Sequence, residues 1–476
     1  MKHYKFLDNE NLINLYTIII FILSSYFISI NFVNDSGYWY DEWCTLLSSD
    51  PNVNLKIIYE RHNGNLEKPY ENVPIIYYLV LRFFFNLFGY TAENGRIFSL
   101  LFYIFSTITF YYLLKLFIKK KESLFATSIF FSTPLIVWMS NETRVDLFLV
   151  FFVLLNILVF FLTLKYNRFD LKIFLLTINF ITLSIYPLTI SIILSQILFL
   201  LIQKYLNKSK NNLIISLVIL SIFLYFIFNF DYFIERSLNR DYHFAKLKLN
   251  FFILYFFNTF FGSVFFGSIF FVLCIFFLFS QRKIMIKDEI LLYCFISIIL
   301  TYSMVIISSI FVTPIAAPRY IIFIIPIILI FIIRSSINLK NKNFFFLFLF
   351  LLTTINISAT YDNRHVQKPH TVQALDLIEE KSSNNILVLP KSILFQNYIS
   401  TVSKAKYFNI FYDFNEIAND NLNEFSVLCL FKARFAGDKA SNEYKYCNQN
   451  YPGYENLNEI EVPDYKIIFL EKFNDK

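Results

Sequence analysis

From Leu12 to Ser358 the chain is a succession of apolar runs separated by short polar segments. The runs lie near 12–33, 96–118, 123–140, 145–164, 171–186, 188–203, 213–230, 251–280, 289–312, 320–334 and 343–358. A helix needs roughly 20 apolar residues to cross a bilayer. In lipid the backbone must satisfy its own hydrogen bonds, so runs of this length fold as helices. The pattern predicts about eleven spans. Composition agrees: hydrophobic residues make up 57% of the chain and charged residues 16%, against about 25% charged in a soluble domain. A water-soluble fold has no place to bury that much apolar surface, whereas a bilayer removes the need. The first run follows Lys2 and Lys5, is long for a signal-peptide core and has no small-x-small cleavage site after it. It reads as an uncleaved first span.

The formal net charge is +7, but the basic residues form no single patch for a nucleic acid. They fall in clusters at every second junction: Lys115 with Lys119, Lys120 and Lys121; Lys165, Arg168 and Lys172; Lys204, Lys208 and Lys210; Arg282, Lys283 and Lys287; Arg334, Lys340 and Lys342. Excess Lys and Arg marks cytoplasmic loops. The N-terminus and these clusters are therefore expected on the cytoplasmic side of an integral membrane. The apolar segment Val73–Phe88 carries Arg82 in its middle. If it crossed the bilayer, every later cluster would face outward, so parity places it flat at the outer interface as an amphipathic helix. It belongs to a long first outer loop, 34–95. Tyr186-Pro187 marks a tight outer turn, and Phe251–Phe261 reads as a second interfacial helix or as part of a span.

After Ser358 the composition turns polar. The chain divides into a transmembrane region, 1–360, and an extracytoplasmic soluble domain, 361–476. Helices are expected at Thr371–Lys381 and Ser392–Ser400, and strands at Ile386–Leu389, Tyr407–Tyr412, Val427–Phe431 and Tyr465–Phe469. The fold class is thus an all-α polytopic membrane protein with a small α/β domain at its C-terminus. Cys429 and Cys447 share a compartment that permits a disulfide. With no CxxC pair among the 5 cysteines, a structural zinc site is not indicated.

The first outer loop opens on Gly37-Tyr-Trp-Tyr-Asp41-Glu42-Trp43. A carboxylate at the bilayer surface can take a proton from a hydroxyl, and a pair can hold a divalent cation near a phosphate. The bland alternative is a solvated loop under an aromatic belt. Glu67-Lys68-Pro69 places Lys68 at headgroup level, within reach of a lipid phosphate. The second outer turn, Ser140-Asn-Glu-Thr-Arg144-Val-Asp146, sets an Arg and an Asp at the mouth of a span, where they either cap two helices as an ion pair or serve function. The fourth outer loop is net basic and includes Arg240 and His243; it either faces an anionic headgroup or is solvated. Arg319 opposes both the helix dipole at its start and the positive-inside trend, which points to an anionic partner beside Tyr320.

In this order and on one side of the membrane, these elements resemble the GT-C superfamily of polytopic glycosyltransferases, and within it the bacterial enzymes related to protein O-mannosyltransferases and to the lipid A aminoarabinose transferase. Asp41-Glu42 resembles the acidic pair that opens the first outer loop. Glu67-Lys68-Pro69 resembles an E-K-P-P-L element, with Tyr70 in place of the second proline. Phe88-Gly89 followed by Arg96 resembles F-G-x-x-x-x-x-x-R. Arg144-Val-Asp146 lies where the family carries its second acidic residue, and Pro318-Arg319-Tyr320 resembles a late P-R-Y element.

The resemblance covers about residues 10–335. It implies transfer of a sugar from a polyprenyl-phosphate donor to an acceptor glycan, lipid or protein outside the cytoplasm. Asp41 would be the base, Glu42 would assist or hold a divalent metal ion with it, and Asp146 would be a second acid. Lys68, Arg144 and Arg319 would face the phosphate. Glu67, Tyr320, Arg240 and His243 complete the expected substrate contacts. The alternative, a transporter or flippase of lipid-linked saccharides, predicts charges buried in mid-span and internal repeats. The sequence has neither.

Overall fold

The computed structural model describes residues 19, 22, 40–62, 74–207, 212–229, 256–311, 318–337 and 339, together with strands at 386–389, 408–410, 426–432, 454–462 and 465–472. The expected span at 12–33 apart from residues 19 and 22, the span expected at 343–358, the helices expected at 371–381 and 392–400, and Cys447 lie outside these described residues.

Two short helices, α1 (Tyr40–Ser48) and α2 (Leu55–His62), follow the first run, and α3 (Ile76–Phe88) comes next. The long helices begin with α4 (Ala92–Lys115). Then come α5 (Lys120–Phe131), α6 (Pro134–Met139), α7 (Val145–Tyr166), α8 (Phe169–Ile185), α9 (Ile190–Asn207) and α10 (Asn212–Phe228). The series closes with α11 (Phe256–Phe260), α12 (Val264–Ser280), α13 (Arg282–Met285), α14 (Glu289–Phe311), a 3-10 segment at Pro318–Ile324 and α15 (Ile325–Ile337). Among the described residues five helical segments are long and apolar enough to cross a membrane: Glu93–Lys115, Val145–Tyr166, Pro187–Leu206, Glu289–Ile310 and Pro318–Ile337. α3, α10 and α12 are shorter apolar helices. The chain is an integral, multi-pass membrane protein.

Three expected spans are corrected in form. The run 123–140 is two helices in series, α5 and α6, divided at Ser132-Thr133. Proline has no N–H to donate and drives the preceding residue out of the α region; Thr133, before Pro134, is extended at φ −66° and ψ 124°. The run 251–280 also breaks. Gly262 takes a positive φ of 82°, and Ser263 caps α12 by accepting from the Phe266 N–H at 3.2 Å. The last described run begins as a 3-10 turn before α15, where Pro326 sits in the first turn and needs no donor.

α3 is shorter than the apolar run that contains it. Its 13 residues rise about 20 Å, short of the roughly 30 Å hydrocarbon core. Tyr77, Tyr78, Leu81 and Phe85 are buried along one stripe, while Phe83, Leu87 and Phe88 on the other side are exposed. The buried stripe packs into an aromatic cluster: the Tyr77 ring lies 6.1 Å from Phe98 of α4 and 5.6 Å from Phe148 of α7. Gly89 ends α3 in a positive-φ turn at 100°. Thr91 then caps α4, its hydroxyl accepting from the Asn94 N–H at 3.1 Å.

α7, α8, α9 and α14 form the centre, with Phe160, Phe161, Phe199 and Tyr293 in mutual ring contact. On the side that carries the basic clusters, Arg334 pairs with Asp288 at 2.8 Å and donates to the Phe117 carbonyl at 3.1 Å.

The described strands near the C-terminus make one mixed sheet. β1 (Ile386–Leu389), β2 (Phe408–Ile410), β3 (Ser426–Lys432), β4 (Tyr454–Val462) and β5 (Tyr465–Lys472) order as β2-β1-β3-β5-β4. β1 runs parallel to β2 and β3, and β5 runs antiparallel to β3 and β4. Four of these strands match expected ones. β4, with the polar sequence Tyr-Glu-Asn-Leu-Asn-Glu-Ile-Glu-Val, is not among them and is a strand through its pairing with β5.

Candidate active site

The site is built on α1, the turn between α6 and α7, and the first turns of α4. α1 is fixed at both ends. Near its start, the Glu42 carboxylate is fully buried, and its Oε1 accepts the backbone N–H of Thr143 at 2.9 Å. Near its end, the Tyr90 hydroxyl donates to the Leu46 carbonyl at 3.0 Å. Just beyond, the Arg82 guanidinium of α3 donates to the Asp50 carbonyl and, at 2.9 Å, to that of Pro51. The charge in the middle of α3 therefore anchors the turn that follows α1.

The second turn is buried. Ser140, Asn141, Glu142, Thr143 and Arg144 are all buried. Buried backbone must find partners, and α4 supplies one: the Ser99 hydroxyl donates to the Glu142 carbonyl at 2.6 Å. One helical turn earlier, Gly95 gives the turn room, since a Cβ there would sit 2.5 Å from Thr143 Cγ2. Trp138 Nε1 donates to Glu142 Oε1 at 2.5 Å. Arg144 and Asp146 form a buried ion pair at 3.4 Å. Asp146 lies in the first turn of α7, where the helix dipole favours a negative charge.

The expected residues divide accordingly. Glu42, Arg96, Arg144 and Asp146 are all buried. Glu42 is joined directly to the turn that carries Arg144 and Asp146. Arg319 and Tyr320 lie on the 3-10 segment packed against α7 and α11. The Arg319 guanidinium is 5.4 Å from the centroid of the Tyr320 ring, and that ring is 6.3 Å from Tyr186. Tyr186 follows α8, at the end of the α7–α8 pair where Val145 begins, so Arg319 and Tyr320 share the end that holds Arg144. Glu67, Lys68, Arg240, His243 and the side chain of Asp41 lie outside the described residues. Among the described residues no group of three His, Cys, Asp or Glu side chains converges as a metal ion requires.

Sequence reasoning assigned nothing to Glu142, Trp138, Gly95 or Ser99. Gly95 and Ser99 did leave a trace, a pair of small residues four apart on one face of a helix. The Glu142 pairing needed the fold.

Residues 72–228 match the family of dolichyl-phosphate-mannose-protein mannosyltransferases. No curated protein matches the chain by sequence. The fold is similar to that of ArnT from Cupriavidus metallidurans bound to undecaprenyl phosphate, at 10% identity and a TM-score of 0.59, over 97% of this chain and 98% of that one. The apo state of the same protein matches at 9% identity and a TM-score of 0.57, over 96% and 98%. The family match thus runs from α3 to α10, and nearly the whole chain shares the fold of ArnT.

Proposed function

We propose that the enzyme moves a sugar from a polyprenyl-phosphate donor to an acceptor hydroxyl on the outer face of the membrane. The observation that carries this reading is the direct tie between the helix bearing Asp41 and the buried turn bearing Arg144 and Asp146. A carboxylate and a cation then meet at the end of a lipid-embedded bundle, and undecaprenyl phosphate is the lipid bound by the structurally similar ArnT.

The chemistry follows from what the reaction needs. A hydroxyl is a weak nucleophile, so Asp41 accepts its proton as the oxygen attacks the anomeric carbon. The new C–O bond forms as the bond from the anomeric carbon to the phosphate oxygen breaks, with inversion. Negative charge then grows on the departing lipid phosphate, and Lys68, Arg144 and Arg319 offset it. Asp146 holds the Arg144 side chain and faces the acceptor side as the second acid. Glu67, Arg240, His243 and Tyr320 contribute contacts to donor and acceptor.

The N-terminus is cytoplasmic, the sheet domain at 361–476 is extracytoplasmic, and α3 lies along the outer interface. A transporter of lipid-linked saccharides has less support. The polar side chains that meet inside the bundle, Asn156, Asn179 and Gln196, are uncharged, and the family match is to transferases.

The test is Asp41→Asn in membranes supplied with lipid-linked sugars extracted from the same cells. Release of undecaprenyl phosphate falls by at least about a hundredfold. Full release in that variant removes the mechanism.

A further inference from the structure

We infer that Glu42, the second carboxylate of the acidic pair, is a positioning residue: its carboxylate locks the helix carrying Asp41 to the buried turn carrying Arg144 and Asp146. The inference rests on the transferase reading above and divides labour within it.

Three observations support the assignment. Glu42 is fully buried, so substrate does not reach its oxygens. Its Oε1 accepts the Thr143 N–H at 2.9 Å across a sequence separation of 101 residues. The turn it grips is held on its other side by α4, through the Ser99 hydroxyl on the Glu142 carbonyl and through the clearance at Gly95. The turn is thus fixed between two elements, and Glu42 is a side-chain link to it from α1. A hydrogen bond to a charged acceptor inside protein is among the stronger ones, and the two segments it joins approach along unrelated stretches of chain. Without it the helix carrying Asp41 and the turn carrying Arg144 keep their own folds but lose their common register.

The role needs an acceptor oxygen at this point and not a titrating group. Glutamine supplies the same oxygen on the same length of side chain, and alanine supplies none. A residue that moves a proton or holds a metal ion gives the opposite pattern, because glutamine fails there as fully as alanine.

The experiment compares Glu42→Gln, Glu42→Ala and Asp41→Asn in the full chain, reconstituted in lipid. Turnover is read as undecaprenyl phosphate released from lipid-linked sugars extracted from the same cells, across pH. Glu42→Gln is expected to exceed Glu42→Ala by about tenfold or more, and its pH profile superimposes on that of the parent. Equal loss in both Glu42 variants, or a displaced pH profile in Glu42→Gln, overturns the assignment and makes Glu42 a catalytic residue. If Glu42→Ala does not accumulate in membranes, the level and pH profile of Glu42→Gln decide alone. Asp41→Asn separates the two readings: its inactivity beside a dead Glu42→Gln sinks only the positioning role, whereas its full activity sinks the transferase mechanism itself.

Discussion

Asn156 of α7 donates its amide N–H to Asn179 Oδ1 of α8 at 2.6 Å, inside the bundle and away from water. Asn179 donates on to Gln196 of α9 at 3.2 Å, and Gln196 returns a hydrogen bond to Asn156 Oδ1 at 2.5 Å. The three amides close a ring, and each is fully buried. Between helices in lipid such bonds contribute about 0.6–2 kcal/mol each. Asn156→Leu breaks two sides of the ring and strands two amides, so thermal unfolding in detergent should occur at a lower temperature, with a loss of about 2–3 kcal/mol. The triple change to leucine, which removes every partner at once, should lose less than the single change. A triple variant weaker than Asn156→Leu would contradict this account.

Gly95→Ala forces a Cβ within 2.5 Å of Thr143 Cγ2. The turn must shift, at about 1–3 kcal/mol of strain, and turnover should drop at least about tenfold, since small displacements of catalytic groups are expensive. Adding Thr143→Ala removes the colliding atoms and should recover part of the activity. The double variant's turnover relative to each single variant is the measurement, and no recovery would mean that Gly95 matters for another reason.

Arg82→Leu keeps α3 apolar and deletes the clamp on the Asp50 and Pro51 carbonyls. The first outer loop should become sensitive to added protease on the outer side, and turnover should fall. Arg82→Lys should rescue only in part, because an ammonium does not reproduce a forked guanidinium donor. Protection of the loop that is unchanged in Arg82→Leu would dismiss the clamp.

Arg334→Ala removes the partner of Asp288 and a donor to the Phe117 carbonyl. The Asp288 side chain is only 10% exposed, so stranding it should lower stability by about 3 kcal/mol. Asp288→Asn combined with Arg334→Ala should lose less than Arg334→Ala alone. The comparison is made by thermal unfolding of the purified variants.

Sidedness has its own check. A single cysteine at Lys120, with the native cysteines replaced, should react with an impermeant thiol reagent only after the membrane is opened. Labelling of intact cells would invert the proposed orientation and move α3 from the interface into the bilayer.

The sequence by itself determined the class of fold, because the length of an apolar run is set by the thickness of the bilayer. It located α4, α7, α8, α9, α10 and α14 to within a few residues. It also raised the expectation that α3 lies at the interface, since an arginine in the middle of an apolar run is costly in lipid. It did not foresee the break at Thr133 and left the one at Gly262 as one of two readings, because single-residue backbone preferences divide runs that hydropathy reads as continuous. β4 was equally illegible, because its strand character comes from pairing with β5.

For the candidate site the sequence supplied the residue types and an expected side of the membrane. Only the tertiary structure decided their roles. Glu42 and Thr143 are far apart along the chain, and nothing local to either says that one accepts from the other. The burial of the Ser140–Arg144 turn likewise comes from α1 and α4 closing over it. A stretch of polar residues looks solvated in sequence, and it becomes a buried scaffold only when other parts of the chain supply its hydrogen bonds.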